Sequence, residues 1–301
     1  MHTIDNRRGK NYTATNIVTG SSVSVKIVTD STSDISPEVA HDLGITVVPA
    51  YVQFGDEVYR DGIDISNDRF YQKLVDSFVL PLTSPPTPQD FAKVYSDCSK
   101  EAEGILSIHI SSKISDTCNS ARHGRRIARG KCRVEVVDSR FASIGLALVV
   151  IAAASLARAG ENLQSVLEET QKAISQIHML GIFDTMKYLV WGGRVSESVA
   201  GMADIRQIKP LLTFKDGEII QAGLVRAYSA GMDRLYEFVK DRLNIQDLAI
   251  AYSTTPEQAS QMKERLSSIF PEDKIYLAQL GIALGVHSGP GALVLALRQG
   301  D

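Results

Sequence analysis

Between Arg140 and Arg158 the chain carries seventeen residues without a charge, Phe141–Ala157 (FASIGLALVVIAAASLA). A helix that is apolar all round must be covered on every side. A bilayer span needs about 20 such residues. This run is shorter, draws on Ala, Ser and Gly as much as on Leu and Val, and is closely bracketed by the two arginines. It is therefore expected as a helix enclosed within the protein. Enclosure requires packed structure on both sides, and 301 residues with 44% hydrophobic content are enough to supply it.

With 22% charged residues and a net charge of −3, the chain is neither disordered nor collagen-like, and nucleic acid is not expected as its partner. Cys98, Cys118 and Cys132 form no CxxC pair, and an odd count fits a reducing compartment. Residues 1–24 hold no apolar run of signal-peptide length and too little apolar surface to order themselves. They read as a flexible extension. A cytoplasmic protein without a transmembrane segment is the expectation.

Strand and helix signals alternate along the first half. Val25–Thr29 reads as a strand, Pro37 opens a helix, and Ile45–Phe54 reads as one extended stretch bent at Pro49. Helices are expected near 66–77, 88–102 and 116–130, and strands at Ile105–Ile110 and Val134–Val137, with a proline-rich loop at Leu82–Pro88. This alternation predicts a parallel, Rossmann-like sheet with functional loops at its carboxyl ends. Later, a helix is expected over 162–177, a hairpin over 211–225, a strand at Leu248–Tyr252 and a helix from Pro256. A smaller α/β domain with a mixed or antiparallel sheet fits this half. The expected division is an N-terminal domain over 25–160 and a C-terminal domain over 161–301.

Walker, HExxH, GxSxG and zinc-ligand patterns are all absent, so no metal or cofactor site is expected. What remains is a set of hydroxyl-rich and glycine-rich turns. Ser31 lies in Asp30-Ser31-Thr32-Ser33-Asp34; Thr83 and Ser84 lie in TSPPTP; Ser115 and Thr117 open the helix after Ile105–Ile110. Small hydroxyls beside a helix N-terminus either cap it or hold an anionic group. His287 falls in a glycine turn, GVHSGPG, and Arg194 follows two glycines where it can fork onto an oxyanion.

In order and spacing these segments resemble the DegV family, whose characterised members include the fatty-acid-binding subunits of bacterial fatty acid kinases. The matching stretches are TDSTSD (29–34), YRDGIDIS (59–66), FYQKL (70–74), TSPPTPQDF (83–91), SSKISDTCNSA (111–121), VVDSRFASIGLAL (136–148), DTMKYLVWGGRVS (184–196), IKPLLTFKDG (208–217) and GVHSGPGAL (285–293). The resemblance implies a long-chain fatty acid bound in a tunnel between two α/β domains, with the apolar helix as tunnel wall. It further implies that a separate ATP-dependent kinase subunit phosphorylates the acid's carboxylate, giving an acyl phosphate for phospholipid synthesis. Thr83, Ser84, Ser115, Thr117, His287 and Ser31 are then the expected ligand-binding residues. Arg194 and Arg226 are expected to face the kinase or the phosphoryl group. The protein itself would be a carrier rather than an enzyme, and peripheral contact with a membrane is compatible with that role.

Two departures stand out. The family commonly has Ser-Gly-Thr where this chain has Ser115-Asp116-Thr117, so Asp116 either repels a carboxylate or caps the helix and points away. Trp191 stands where a charged residue is usual before the glycine pair. Arg122, Arg125, Arg126 and Arg129 share one helix face, either a solvated stripe or a docking surface for acidic groups. The rival reading is a serine-dependent acyl transferase or hydrolase using Ser115 or Ser288 with His287, and Asp116 as a third member.

Overall fold

A computed structural model describes residues 24–77, 79–195 and 208–300; the N-terminal extension lies outside the described residues except for Ser24. The chain opens with β1 (Val25–Asp30), a 3-10 turn at Ser31–Ser33, α1 (Pro37–Leu43) and β2 (Ile45–Val48). Ser36 caps α1 through its side chain, Pro37 occupies the first turn, and Gly44 ends the helix in the left-handed conformation. Next come β3 (Tyr51–Phe54), β4 (Glu57–Arg60), α2 (Asn67–Asp76), β5 (Leu82–Ser84), α3 (Pro88–Cys98), β6 (Gly104–His109), α4 (Thr117–Ile127) and β7 (Arg133–Asp138). Then follow α5 (Ser143–Arg158), α6 (Leu163–Gln176), β8 (Ile177–Ile182) and α7 (Lys187–Trp191). The remainder is β9 (Lys209–Lys215), β10 (Glu218–Val225), α8 (Tyr228–Lys240), β11 (Ile245–Tyr252), α9 (Pro256–Leu266), β12 (Ile275–Gln279), α10 (Ile282–Ser288) and β13 (Leu293–Gln299).

Among the described residues the strands form three sheets. A four-stranded sheet of order β2-β1-β6-β7 is parallel throughout. A six-stranded sheet of order β10-β9-β8-β13-β11-β12 is antiparallel except for the β11–β12 pair. A small antiparallel sheet of order β4-β3-β5 carries the proline-rich segment. The architecture is thus α/β, with a Rossmann-like parallel sheet and a mixed sheet.

α5 lies between the two large sheets. It packs against β1 and β6 on one side and against β8, β11 and β13 on the other. Its residues from Ser143 to Val150, with Ala153 and Ala154, are all buried, which is why the sequence shows no polar face here. The largest core cluster accordingly joins Ile27, Leu106 and Ile108 of the parallel sheet to Ala249, Val294 and Ala296 of the mixed one through Leu146, Val149 and Val150.

Several local expectations are corrected. Ile45–Phe54 is not one strand: the chain breaks at Pro49-Ala50, so β2 and β3 belong to different sheets. The loop expected at Leu82–Pro88 begins as β5, which pairs with β3. The helix expected over 162–177 ends at Gln176, and Ile177 starts β8. His287 sits in the last turn of α10, not in a glycine turn.

Candidate functional site

A cavity of about 320 Å³ opens where the carboxyl ends of β1 and β6 face the six-stranded sheet. That volume lies at the lower end of the range for small-molecule sites. Ile110, Ile114 and Ala142 line it from the first half of the chain, and Met179, Leu212, Phe214, Ile219 and Val294 from the second. Leu280, Ala283 and Leu284 close it from the segment containing α10. The body of the cavity is therefore apolar.

Its polar groups arrive from separate elements. β5 brings Thr83, which is held in register opposite Val52 of β3. The following turn is fixed by a capping box in which Thr87 and Asp90 close the first turn of α3 reciprocally. Thr83 Oγ1 lies 2.9 Å from Nε2 of His287, so a side chain from α10 meets one from β5. Gly192, at the end of α7, lies against the other edge of that ring: a Cβ there would stand 2.1 Å from Nδ1. Any larger residue at 192 would push His287 out of place.

Burial, reinforced by the positive charge of Arg194, depresses the His287 pKa to about 4. The ring is neutral at physiological pH, and its Nδ1 is buried without a hydrogen-bond partner. Arg194 lines the same cavity and donates from Nη1 to the carbonyl of Gly192. Ser115 and Thr117 stand at the start of α4 with their hydroxyls 2.8 Å apart, and the Thr117 amide donates to Ser115 Oγ at 3.3 Å. The positive end of α4 is thereby aimed at this part of the cavity.

Thr83, Ser84, Ser115, Thr117, His287 and Arg194 all line one cavity. Ser31 does not; its Oγ accepts from the Ala50 amide at 3.0 Å, and the neighbouring Thr32 lines the cavity instead. Arg226 is exposed on the bend between β10 and α8, away from the lining. Asp116 lines the cavity without capping α4 through its side chain, which instead accepts from Asn119 Nδ2 at 3.2 Å. Ser143, at the start of α5, also lines the cavity and was not foreseen. Its signal was faint, because a lone serine in an apolar run reads as part of the core.

The pairs that the rival enzyme reading needs are not formed. His287 bonds to Thr83 rather than to a serine, and Ser288 Oγ donates only weakly to the Gly289 carbonyl, at 3.4 Å. A Ser–His–Asp arrangement does occur elsewhere. Ser107 Oγ is 2.7 Å from His109 Nε2, and His109 Nδ1 is 2.9 Å from Asp30 Oδ2. All three residues are wholly buried and none lines the cavity, so the arrangement ties β6 to β1 and has no route to a substrate. Among the described residues no cluster of His, Cys, Asp and Glu could hold a metal ion, and no helix is long and apolar enough to cross a membrane.

The fold is α/β, and its cavity has an apolar body with hydroxyl groups gathered at one end. Residues 24–299 match the family model described as "Uncharacterised protein, DegV family", and the chain belongs to that family. A DegV domain-containing protein of Deinococcus radiodurans is 33% identical over 279 residues, covering 91% of this chain and 98% of the relative. Among solved structures, the chain is similar to a DegV family protein from Thermus thermophilus described as binding fatty acid. The two share 31% identity with a TM-score of 0.84, over 92% of this chain and 99% of the other. Bacillus subtilis DegV, described as a fatty acid binding protein, is 26% identical with a TM-score of 0.85, over 93% of this chain and all of the other.

Proposed function

We propose that this protein binds a long-chain fatty acid in the cavity between its lobes, 25–160 and 161–301. The acid's carboxylate would lie at Thr83, Ser84, Ser115, Thr117 and His287. The observation that carries the reading is the division of one cavity into an apolar body and a hydroxyl-lined end that holds a neutral histidine. Each methylene buried in the body contributes about 0.8 kcal/mol, so the tail dominates affinity and the polar end sets orientation.

The chemistry of the rim supports a carboxylate. An unpaired acceptor is easier to bury than an unpaired N–H, so the orphaned Nδ1 favours the tautomer protonated on Nε2. That N–H donates to Thr83, whose own hydroxyl proton is then free for an anionic oxygen. The amides at the start of α4 add positive potential.

A carboxylate held this way, without a lysine clamp, stays open to attack on phosphorus. A separate ATP-dependent kinase subunit would transfer the γ-phosphoryl group to it, releasing ADP and leaving an acyl phosphate for phospholipid synthesis. Arg194 and Arg226 would face that partner, and this chain would act as carrier. Its three cysteines are all free, which agrees with work in the reducing cytoplasm. Native mass spectrometry of freshly purified protein tests the reading. Bound fatty acid released by organic solvent supports it, and a covalent acyl adduct on a serine overturns it.

A further inference from the structure

Behind the cavity wall, two aspartates from different parts of the fold converge on the start of α10. Asp34 follows the 3-10 turn after β1, and Asp61 follows β4. Asp34 Oδ1 accepts from the Gly281 amide at 2.8 Å, and Asp61 Oδ1 accepts from the Ile282 amide at 3.0 Å. Those two oxygens stand 3.2 and 3.0 Å from the point a Cβ on Gly281 would occupy, which holds them within about 6 Å of one another. Asp34 Oδ2 and Ser143 Oγ are hydrogen-bonded at 2.6 Å, whereas Asp61 Oδ2 is buried with no partner. Asp34 and Ser143 are bonded to each other and both hold left-handed backbone conformations, at φ 52°. Such conformations persist in non-glycine residues only where the surroundings impose them.

We infer that Asp34 is a positioning residue for the ligand site: paired with Asp61, it holds a proton that keeps α10, and with it His287, seated against the cavity. The inference rests on the fatty-acid reading for its ligand but not for the grip itself. Both aspartates are almost entirely buried, and no lysine or arginine is paired with either among the described residues. The titratable groups facing them are Asp30 at the end of β1, Tyr71 of α2 and Tyr276 of β12, and His109 bonds to Asp30 behind them. Tyr71 OH donates to the Leu280 carbonyl, and Tyr276 OH donates to the Asp34 carbonyl. Nothing cationic therefore compensates a second negative charge on the pair. Two like charges at this separation, away from water, cannot both form without displacing something.

Burial raises Asp34 to about 8 and Asp61 to about 6, so near neutral pH Asp34 keeps its proton beside an ionising Asp61. Alkali removes that proton. Repulsion then drives the two carboxylates apart. Because each is bonded to one of the first amides of α10, their separation breaks one of those bonds and loosens the helix, whose Ala283, Leu284, His287 and Ser288 form one wall of the cavity.

The test is amide hydrogen exchange across residues 280–288 of the ligand-free full chain between pH 6 and 9, corrected for intrinsic rates, on wild type and Asp34→Asn. Asparagine keeps the acceptor facing the Gly281 amide and donates from Nδ2 to Ser143 Oγ, as the acid protonated on Oδ2 does, but cannot ionise. Protection should fall about fivefold or more in wild type and stay level in Asp34→Asn; matching profiles overturn the inference. In parallel, oleic acid affinity should weaken over the same range in wild type only. A merely structural role for Asp34 would weaken binding equally at every pH, which also overturns it. Should oleic acid fail to bind at any pH, the fatty-acid reading fails while the exchange data still decide the grip. If Asp34→Asn does not fold, Asp61→Asn replaces it: with the repelling charge gone Asp34 ionises at lower pH without a charged neighbour, so the wild-type loss of protection should disappear, and a transition that persists unmoved counts against the pair.

Discussion

Thr83 and His287 illustrate how much two side chains can contribute when each limits the other. Thr83→Val keeps the shape and removes the hydroxyl, and the net value of one such hydrogen bond is about 1–1.5 kcal/mol. Oleic acid binding by calorimetry should therefore weaken roughly tenfold, and an unchanged dissociation constant would remove Thr83 from the head-group site. His287 gives a second prediction. Its folded-state pKa, about 4, lies below the usual 6.5, so the unfolded chain binds the extra proton between those values. Its contribution to stability is full above pH 6.5 and is lost as the pH falls towards 4. His287→Gln should flatten that part of the urea-unfolding profile. Both residues stood out in sequence because proline and glycine punctuate their segments, although Thr83 lies in β5 and His287 in α10 rather than in turns. Asp34 and Asp61 were not, since each sits in an ordinary polar turn and acquires meaning only when α10 is placed between them. Ser31 and Thr32 show the remaining gap: the motif was visible, but which of two adjacent hydroxyls faces the cavity depends on the 3-10 turn.

At the scale of elements, α5 was the most legible feature and α10 the least. An all-round apolar run of this length has one soluble solution. Leu146 is fully buried in α5, and Leu146→Ala should cost about 2–5 kcal/mol in chemical denaturation; a loss under 1 kcal/mol would contradict the packing between two sheets. α10 spans only Ile282–Ser288, with Gly281 before it, Gly285 within it and Gly289 after it. Its glycines signal a turn, and packing against α2 and α7 overrides that signal. β13 (LVLALRQ) was missed for a different reason. It is buried between β8 and β11, so the alternation that marks a half-exposed strand is absent. The three-stranded sheet has strands of three and four residues, too short for any periodicity to register.

For the molecule as a whole, the cavity draws its lining from the six-stranded sheet and from the turns that follow strands of the parallel sheet, so a ligand there joins the two halves. Anything that binds the folded state alone raises stability by mass action. Saturating oleic acid should raise the melting temperature in proportion to the logarithm of its concentration, and a flat response would mean that no ligand joins the two halves. Arg194→Ala should leave that shift intact yet slow acyl-phosphate formation with the cognate kinase; an unaltered rate would free Arg194 of its partner-facing role. The broad architecture was readable from sequence because β–α–β alternation constrains connection and handedness. The way the two sheets share α5 was not, because nothing in a one-dimensional pattern says how many neighbours an apolar helix will have.

That sharing bears on anyone who wants to transplant the cavity into another scaffold. Neither half of the chain can be excised cleanly, because whichever fragment keeps α5 inherits a greasy rod with one flank bare and prone to clumping. A graft would have to carry the rod together with strands from both flanks, so recombination between relatives should succeed at crossover points in the outer loops and fail at cuts through the middle of the chain.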